Sequence, residues 1–242
     1  MDKISLSLII PVFNEESRIH KLNEVFIYVK KNKLIKEIIV VDDGSVDKTR
    51  PLLKSMGDKH RLTIISYNKN RGKGFAIKKG VFVAKGTHVV FIDIDLSTPL
   101  YTIEALIKQI PKFDIVIGTR KNKLAKVEQR QPIIRELMGR SFTLLSQILL
   151  GVPVTDFTCG FKCFTKKSAR EIFSKQKIER WSFDAETLFL AKKYNFSIGE
   201  IPVVWKNDPN TKVKFPLDIL ISIRELIAIV KNDWMGAYKK TI

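Results

Sequence analysis

The chain is poor in the residues that build metal clusters, disulfide frameworks and membrane spans. Only two cysteines, Cys159 and Cys163, and three histidines occur in 242 residues. Two thiols four positions apart with so few imidazoles argue against a structural zinc site or a disulfide scaffold, and read instead as small buried side chains in a reducing compartment. No run of about 20 apolar residues is present, so no transmembrane helix is expected. The opening MDKISLSLIIPVFNEE reaches charge after a short apolar stretch, which argues against a secretory leader. No G-x-G-x-x-G follows the first apolar run and no G-x-x-x-x-G-K-[ST] occurs, which disfavours dinucleotide and P-loop designs. Low-complexity tracts and internal repeats are also missing.

What the chain has in excess is positive charge: 43 Lys and Arg against 25 Asp and Glu, a formal net charge of +18. That surplus points to an anionic partner, whether nucleic acid, an anionic membrane face or a phosphorylated substrate. A nucleic-acid partner is disfavoured, because no aromatic-interleaved basic motif or helix-turn-helix pattern appears.

Short apolar runs at 5–13, 36–45, 61–67 and 88–95 read as strands. Between them, 15–31, 47–56 and 75–86 read as helices, with Ser45 or Asp43 as the N-cap of the second and 68–74 as a loop. Strand and helix alternating at short spacing predict an α/β fold with a mostly parallel sheet flanked by helices. After Pro99 come a helix to about Ile110, a strand over 113–120 and a basic loop over 121–132. Helices are then expected over 133–150, from Lys166 and over 180–194, with a turn-rich link over 152–165, a strand over 198–205 and a last helix over 216–234.

Ligands of such sheets sit beyond the carboxyl ends of the strands. Here PVFNEE, VVDDGS and DIDLS all fall at such ends, so three acid-bearing loops share one rim. Asp93 and Asp95, two apart after a buried run, would face the same way if the strand continued through them. Two like charges held together call for a cation between them. A divalent ion with hard oxygen ligands, Mg2+ or Mn2+, fits, with Ser97 as a third same-face oxygen. Pro11, Phe13 and Glu15 form one rim loop and Asp42 and Asp43 another, where acids can accept from a base N–H or a ribose hydroxyl.

The stretches LSLIIPVFNEE, EIIVVDDGSVDKT, NRGKGFAIKKG and FIDIDLSTP together resemble the inverting, metal-dependent family-2 glycosyltransferases with the GT-A fold. DIVIGTR, QRQPIIRELMGR, TDFTCGFKCFTKKSA, RWSFDAE and IPVVWKNDPNTKV are similar to the dolichyl- or polyprenyl-phosphate sugar synthases, the glucosyl branch more than the mannosyl. The likeness runs from about residue 5 to 215, which sets a catalytic domain over 1–215 and an amphipathic helix and tail over 216–242. It implies a nucleotide-sugar donor, UDP-glucose ahead of GDP-mannose, and a dolichyl or polyprenyl phosphate acceptor. By the same resemblance Pro11, Phe13, Glu15, Val40 and Asp42 line the base and ribose pocket, Lys73 and Asp93 meet the donor, and Asp95 with Ser97 holds the metal. Arg120 and Lys212 match positions that meet the donor phosphates or the sugar, and Arg135 one that meets the acceptor phosphate. PNTKV departs from the family's more usual Gly-Ser-Lys turn, which bears on the reach of Lys212.

An acceptor phosphate is already ionised, so it needs cations to hold it rather than a base; Arg120, Arg130, Arg135 and Arg140 are candidates. A hydroxyl acceptor would need a base instead, and Asp184 and Glu186 are then the candidates. With a phosphate acceptor these two acids are expected to orient basic groups. Apolar Ile219, Leu220, Ile223, Leu226, Ile227 and Val230 form a stripe on the last helix, suited either to core packing or to lying on a bilayer. The 133–150 helix is an alternative membrane element. The implied location is cytoplasmic, peripherally attached to the cytoplasmic face of a membrane.

Overall fold

The computed structural model describes residues 3–60, 62–209, 212 and 217–240, the side chains of 58–60 aside. The expected division at 215/216 lies outside the described residues. In chain order, the first half comprises β1 (Leu6–Val12), a 3-10 turn (Ile19–Lys21), α1 (Leu22–Lys31), β2 (Ile35–Asp42), α2 (Thr49–His60), β3 (Thr63–Ser66), α3 (Lys73–Val83), β4 (His88–Phe91) and α4 (Thr102–Gln109). The second half comprises β5 (Ile115–Thr119), β6 (Lys126–Gln129), α5 (Ile133–Leu150), β7 (Lys162–Thr165), α6 (Lys166–Lys175), α7 (Phe183–Lys193), β8 (Ile198–Pro202), β9 (Val204–Lys206) and α8 (Leu217–Trp234).

Seven strands form one sheet in the order β3-β2-β1-β4-β7-β5-β8, parallel except for β7, and β6 pairs with β9 in a two-stranded sheet. The runs in β1 and β2 are apolar at nearly every position because helices cover both faces of the sheet. Alternation sorts them: Ile9, Ile39, Val41, Phe91 and Phe164 enter one core with α3, α6, α7 and α8. Leu8, Ile10, Val40, Val90 and Cys163 enter the other, with α1, α2 and α4. Both cysteines are free and buried in that second core.

Several expected elements differ. The sequence places β7 in a link; it inserts antiparallel between β4 and β5, with Phe91 opposite Lys162 on one side and Ile117 opposite Lys162 on the other. β6 lies in the expected basic loop; all four of its residues are exposed, so no apolar period marks it. Neither Ser45 nor Asp43 caps α2: Thr49 N donates to Asp47 Oδ1 at 2.9 Å, Ser45 Oγ accepts from Asn14 N, and Asp43 faces the 68–74 loop. α5 matches its expected bounds, starting after Pro132 and ending at left-handed Gly151, φ 64°. One side of α8 packs Leu226 and Ile229 into the core while Leu220, Ile227 and Trp234 are exposed, so it both packs and presents an apolar face. Among the described residues no helix is long and apolar enough to cross a membrane.

Candidate active site

Parallel pairing brings the carboxyl ends of β1, β2, β4 and β5 to one rim. Because β7 runs the other way, its leading residues, Cys159 to Lys162, arrive at that same rim. The pocket there is lined by Asp93, Asp95, Ser97, Thr98, Gly160 and Trp205, among others.

Asp93 and Asp95 do not continue the strand. β4 ends at Phe91, and the acids sit in a turn closed by Leu96 N donating to Asp93 O at 3.2 Å. Leu96 is held at φ 50°, a left-handed conformation that costs a leucine of order 1–3 kcal/mol. The pair is therefore held by a strained turn rather than by strand alternation. Ser97 N donates to Asp95 Oδ1 at 2.9 Å, and Lys21 Nζ donates to the Asp95 carbonyl at 2.6 Å. Burial and the neighbouring charge of Asp93 push the Asp95 carboxyl above its usual range, against the opposing pull of Ser97 and Lys73. Lys73 Nζ pairs with Asp93 Oδ1 at 2.5 Å. Burial opposes its charge, but Asp93, Asp184 and Asp95 outweigh it and keep the ammonium protonated. Gly72, φ 119°, makes the turn that brings Lys73 to the first position of α3.

That turn is built on Asp43. Its buried carboxylate accepts from Tyr67 Oη, Asn70 Nδ2, Arg71 N and Gly72 N at 2.8–2.9 Å. Asp42 is fully buried and pairs with Arg50 at 2.8 Å, and Glu15 pairs with Arg18 at 2.5 Å. Pro11 and Phe13 are half buried beside them. Val40 is in the core with no exposed surface, so its side chain does not line an open pocket. Lys212 Nζ donates to the Asn14 carbonyl at 2.5 Å, on the loop after β1 rather than beside Asp93.

On the opposite wall Arg120 grips Asp156 with two bonds, at 2.7 and 2.9 Å, donates to Thr158 and lies 5.3 Å from the Trp205 ring centroid. This pairing holds Asp156 well below the usual carboxylate range despite its burial. Arg135 is half buried; burial and the neighbouring Arg120 pull its pKa down, and Asp95 partly restores it. Arg120 and Arg135 thus repel each other near the two acids, a pair of cations suited to an anion. Arg140 pairs with Glu136 on the exposed side of α5, and Arg130 is exposed.

Asp184 is buried against Lys162, Oδ1 to Nζ 2.5 Å, and Lys162 Nζ also donates to the carbonyls of Phe157 and Cys159 at 3.0 and 2.6 Å. Burial pushes the Asp184 carboxyl up while Lys162 and Lys73 pull it down. Glu186 faces away, accepting from Tyr238 Oη at 2.5 Å and from the amides of Lys177 and Ile178, and among the described residues no basic side chain is hydrogen-bonded to it. Two participants escape a reading of the sequence, Gly160 and Lys162, while Asp43, expected as a rim acid or a helix cap, serves instead to hold the 68–74 loop. A Cβ on Gly160 would lie 1.9 Å from Asp93 Oδ2, so only glycine admits that carboxylate. A lysine inside an otherwise apolar FKCF run is the one available signal for Lys162.

The glycosyl transferase family 2 model matches residues 7–173. The chain belongs to that family. It is a glycosyltransferase. Among its relatives are the dolichyl-phosphate beta-glucosyltransferases of Dictyostelium discoideum, 34% identical over 96% of this chain and 78% of the relative, and of Homo sapiens, 32% identical over 86% and 69%. A crystal structure of glucosyl-3-phosphoglycerate synthase from Mycobacterium tuberculosis matches with TM-score 0.68 and 18% identity over 94% of this chain and 79% of that one. A second structure of that enzyme, with Mn2+, UDP-glucose and phosphoglyceric acid, matches with TM-score 0.66 and 17% identity over 94% and 78%. These likenesses place the family-2 chain in the GT-A fold.

Proposed function

We propose that this transferase moves glucose, with inversion, from UDP-glucose to dolichyl or polyprenyl phosphate. The observation that carries the reading is the 34% identity to an enzyme of that name along 96% of the chain. The site supports it. A hydroxyl acceptor would need a free base, whereas Asp184 is buried and committed to Lys162. An ionised acceptor needs cations, and Arg120 and Arg135 stand beside the acids.

Among the described residues no cluster of three or more His, Cys, Asp or Glu could cage a metal. Two carboxylates, with that of Asp95 raised by burial and then by the charge of Asp93, instead suit an ion whose other ligands would come from substrate phosphates. The donor set therefore fits Mg2+ or Mn2+, held by Asp95 and Asp93 with Ser97 bracing Asp95. Bound there, the ion supplies Lewis-acid stabilisation of charge developing on the diphosphate. The protein's own part is positional. Pro11, Phe13 and Glu15 frame the base and ribose, with Asp42 buried behind them and Lys212 over the same loop, and Lys73 orients Asp93. Arg120 and Arg135 hold the acceptor phosphate in line. One of its oxygens bonds to the anomeric carbon as the bond to the diphosphate oxygen breaks, and UDP departs with the electron pair. Alignment of this kind supplies much of the rate.

Membrane contact at the cytoplasmic face completes the reading. α5 exposes Ile133, Ile134, Leu137, Leu144 and Ile148, and α8 exposes Leu220, Ile227 and Trp234. A net charge of +18 complements an anionic leaflet, at about 1 kcal/mol per basic residue near the surface. The test is incubation with labelled UDP-glucose or GDP-mannose and dolichyl phosphate, with and without Mn2+, scored by label entering organic solvent. Metal-dependent transfer from UDP-glucose is expected. Transfer from GDP-mannose alone overturns the choice of sugar, and no transfer from either donor overturns the reading.

A further inference from the structure

The last helix holds the entrance of α7 as well as presenting an apolar face. Glu225 Oε2 accepts from Ser182 N at 2.9 Å, and Ser182 Oγ donates to the Ser222 carbonyl at 3.0 Å. Ser182 stands at the N-cap of α7, yet its side chain makes no cap bond to its own helix. Helix starts leave amides in need of partners. Here the polar groups leading into the start are taken up by a helix about 40 residues further along the chain.

The first turn of α7 then connects to the site. Asp184 lies two residues after Ser182 and pairs with Lys162, whose ammonium pins the carbonyls of Phe157 and Cys159. Those residues lead into Gly160, whose backbone walls Asp93. Asp184 also helps keep Lys73 charged, and Lys73 pairs with Asp93. A continuous series of contacts therefore runs from Glu225 to the carboxylates of the rim. The loop at the end of β1 takes no part in it, whereas the end of β2 touches it through Asp43, which holds the turn before Lys73.

We propose that Glu225 is a positioning residue for sugar transfer, acting through the 181–184 turn on Asp184 and Lys162. The proposal rests on Lys73, Asp93 and Asp184 bordering the reaction site. Misplacement by about 1 Å can lower a rate by about 10²-fold, so the effect falls on kcat. The donor KM is set largely by base and ribose contacts elsewhere and changes little.

Wild type, Glu225→Ala, Glu225→Asp, Glu225→Gln and Tyr238→Phe are compared for Tm and for kcat and donor KM in glucosyl transfer. Tyr238→Phe removes a buried hydrogen bond to Glu186 near the same C-terminal segment and controls for plain loss of stability. The expected result is a fall in kcat of about tenfold or more in Glu225→Ala and Glu225→Asp, with donor KM within about threefold. Glu225→Gln, which keeps an acceptor oxygen at the same reach, retains most of the rate, and Tyr238→Phe lowers Tm without that loss. Should Glu225→Ala fail to fold, Glu225→Asp keeps the charge near Arg180, withdraws it by one methylene and carries the test. Wild-type kcat in both Ala and Asp variants, or an equal loss in Tyr238→Phe, overturns the proposal. A wild-type protein that transfers from no donor overturns the functional reading instead, and that measurement comes first.

Discussion

Replacing Gly160 with alanine would set a methyl group 1.9 Å from Oδ2 of Asp93 and 2.6 Å from its Cγ. An ordinary contact is about 3.5 Å, so the carboxylate must withdraw by about 1.5 Å. It can do so only by swinging away from Lys73, with which it now pairs at 2.5 Å. The Asp93 side chain is 37% exposed, so it can turn into water and the fold is expected to lose less than the about 1–3 kcal/mol usual for overpacking. The site has no such escape. A displacement above about 1 Å at a reacting centre predicts a loss of about 10²-fold in kcat/KM, equivalent to about 2.7 kcal/mol of transition-state stabilisation. The assay is glucosyl transfer to dolichyl phosphate at saturating Mn2+, with thermal unfolding run in parallel. A Gly160→Ala protein that keeps kcat/KM within about threefold of wild type would refute the idea that Asp93 must occupy that spot.

Lys162→Met should leave the Asp184 carboxylate buried without its partner, at a cost of about 3–5 kcal/mol in urea unfolding. Adding Asp184→Asn should recover much of that loss, and a single-variant loss below about 1 kcal/mol would contradict the pairing. Burial pushes Glu186 up to about 7. Its raised folded-state pKa means that the native protein holds a proton the unfolded chain releases near 4.5. Stability therefore falls as pH rises from about 4.5 to about 7, by up to about 3 kcal/mol from this group. Glu186→Gln should flatten that slope, and parallel slopes in the two proteins would count against it. Finally, Ile134→Glu with Leu137→Glu should lower flotation with anionic liposomes by about tenfold or more, since each apolar side chain contributes about 1.5–3 kcal/mol when fully buried. Unchanged flotation would remove α5 from the bilayer contact.

The layered fold is readable because β1, β2 and β4 are near-continuous apolar runs separated by helix-length segments. α5 is readable to the residue, framed by Pro132 and Gly151. β7 is not, since four residues that begin with a buried lysine and a cysteine carry neither strand alternation nor a helical period. At the site, carboxylates at strand ends advertise themselves by position. Lys162 and Gly160 do not, because their roles arise from contacts with Asp184 and Asp93, residues 22 positions later and 67 earlier. Asp43 is visible as an acid, but as a rim acid or a helix cap rather than as the post for the loop before Lys73. The turn at Leu96 also has no local signature, because leucine is among the side chains least suited to φ 50°.

The antiparallel strand in the middle of the sheet constrains how the protein is made. β4 and β5 both hydrogen-bond to residues 162–165 and not to each other. Until that segment has left the ribosome, the nascent chain carries one unpaired edge on β4 and two on β5, flanked by apolar surface and open to pairing with other molecules. A protein truncated before residue 162 should therefore aggregate rather than yield a free N-terminal half.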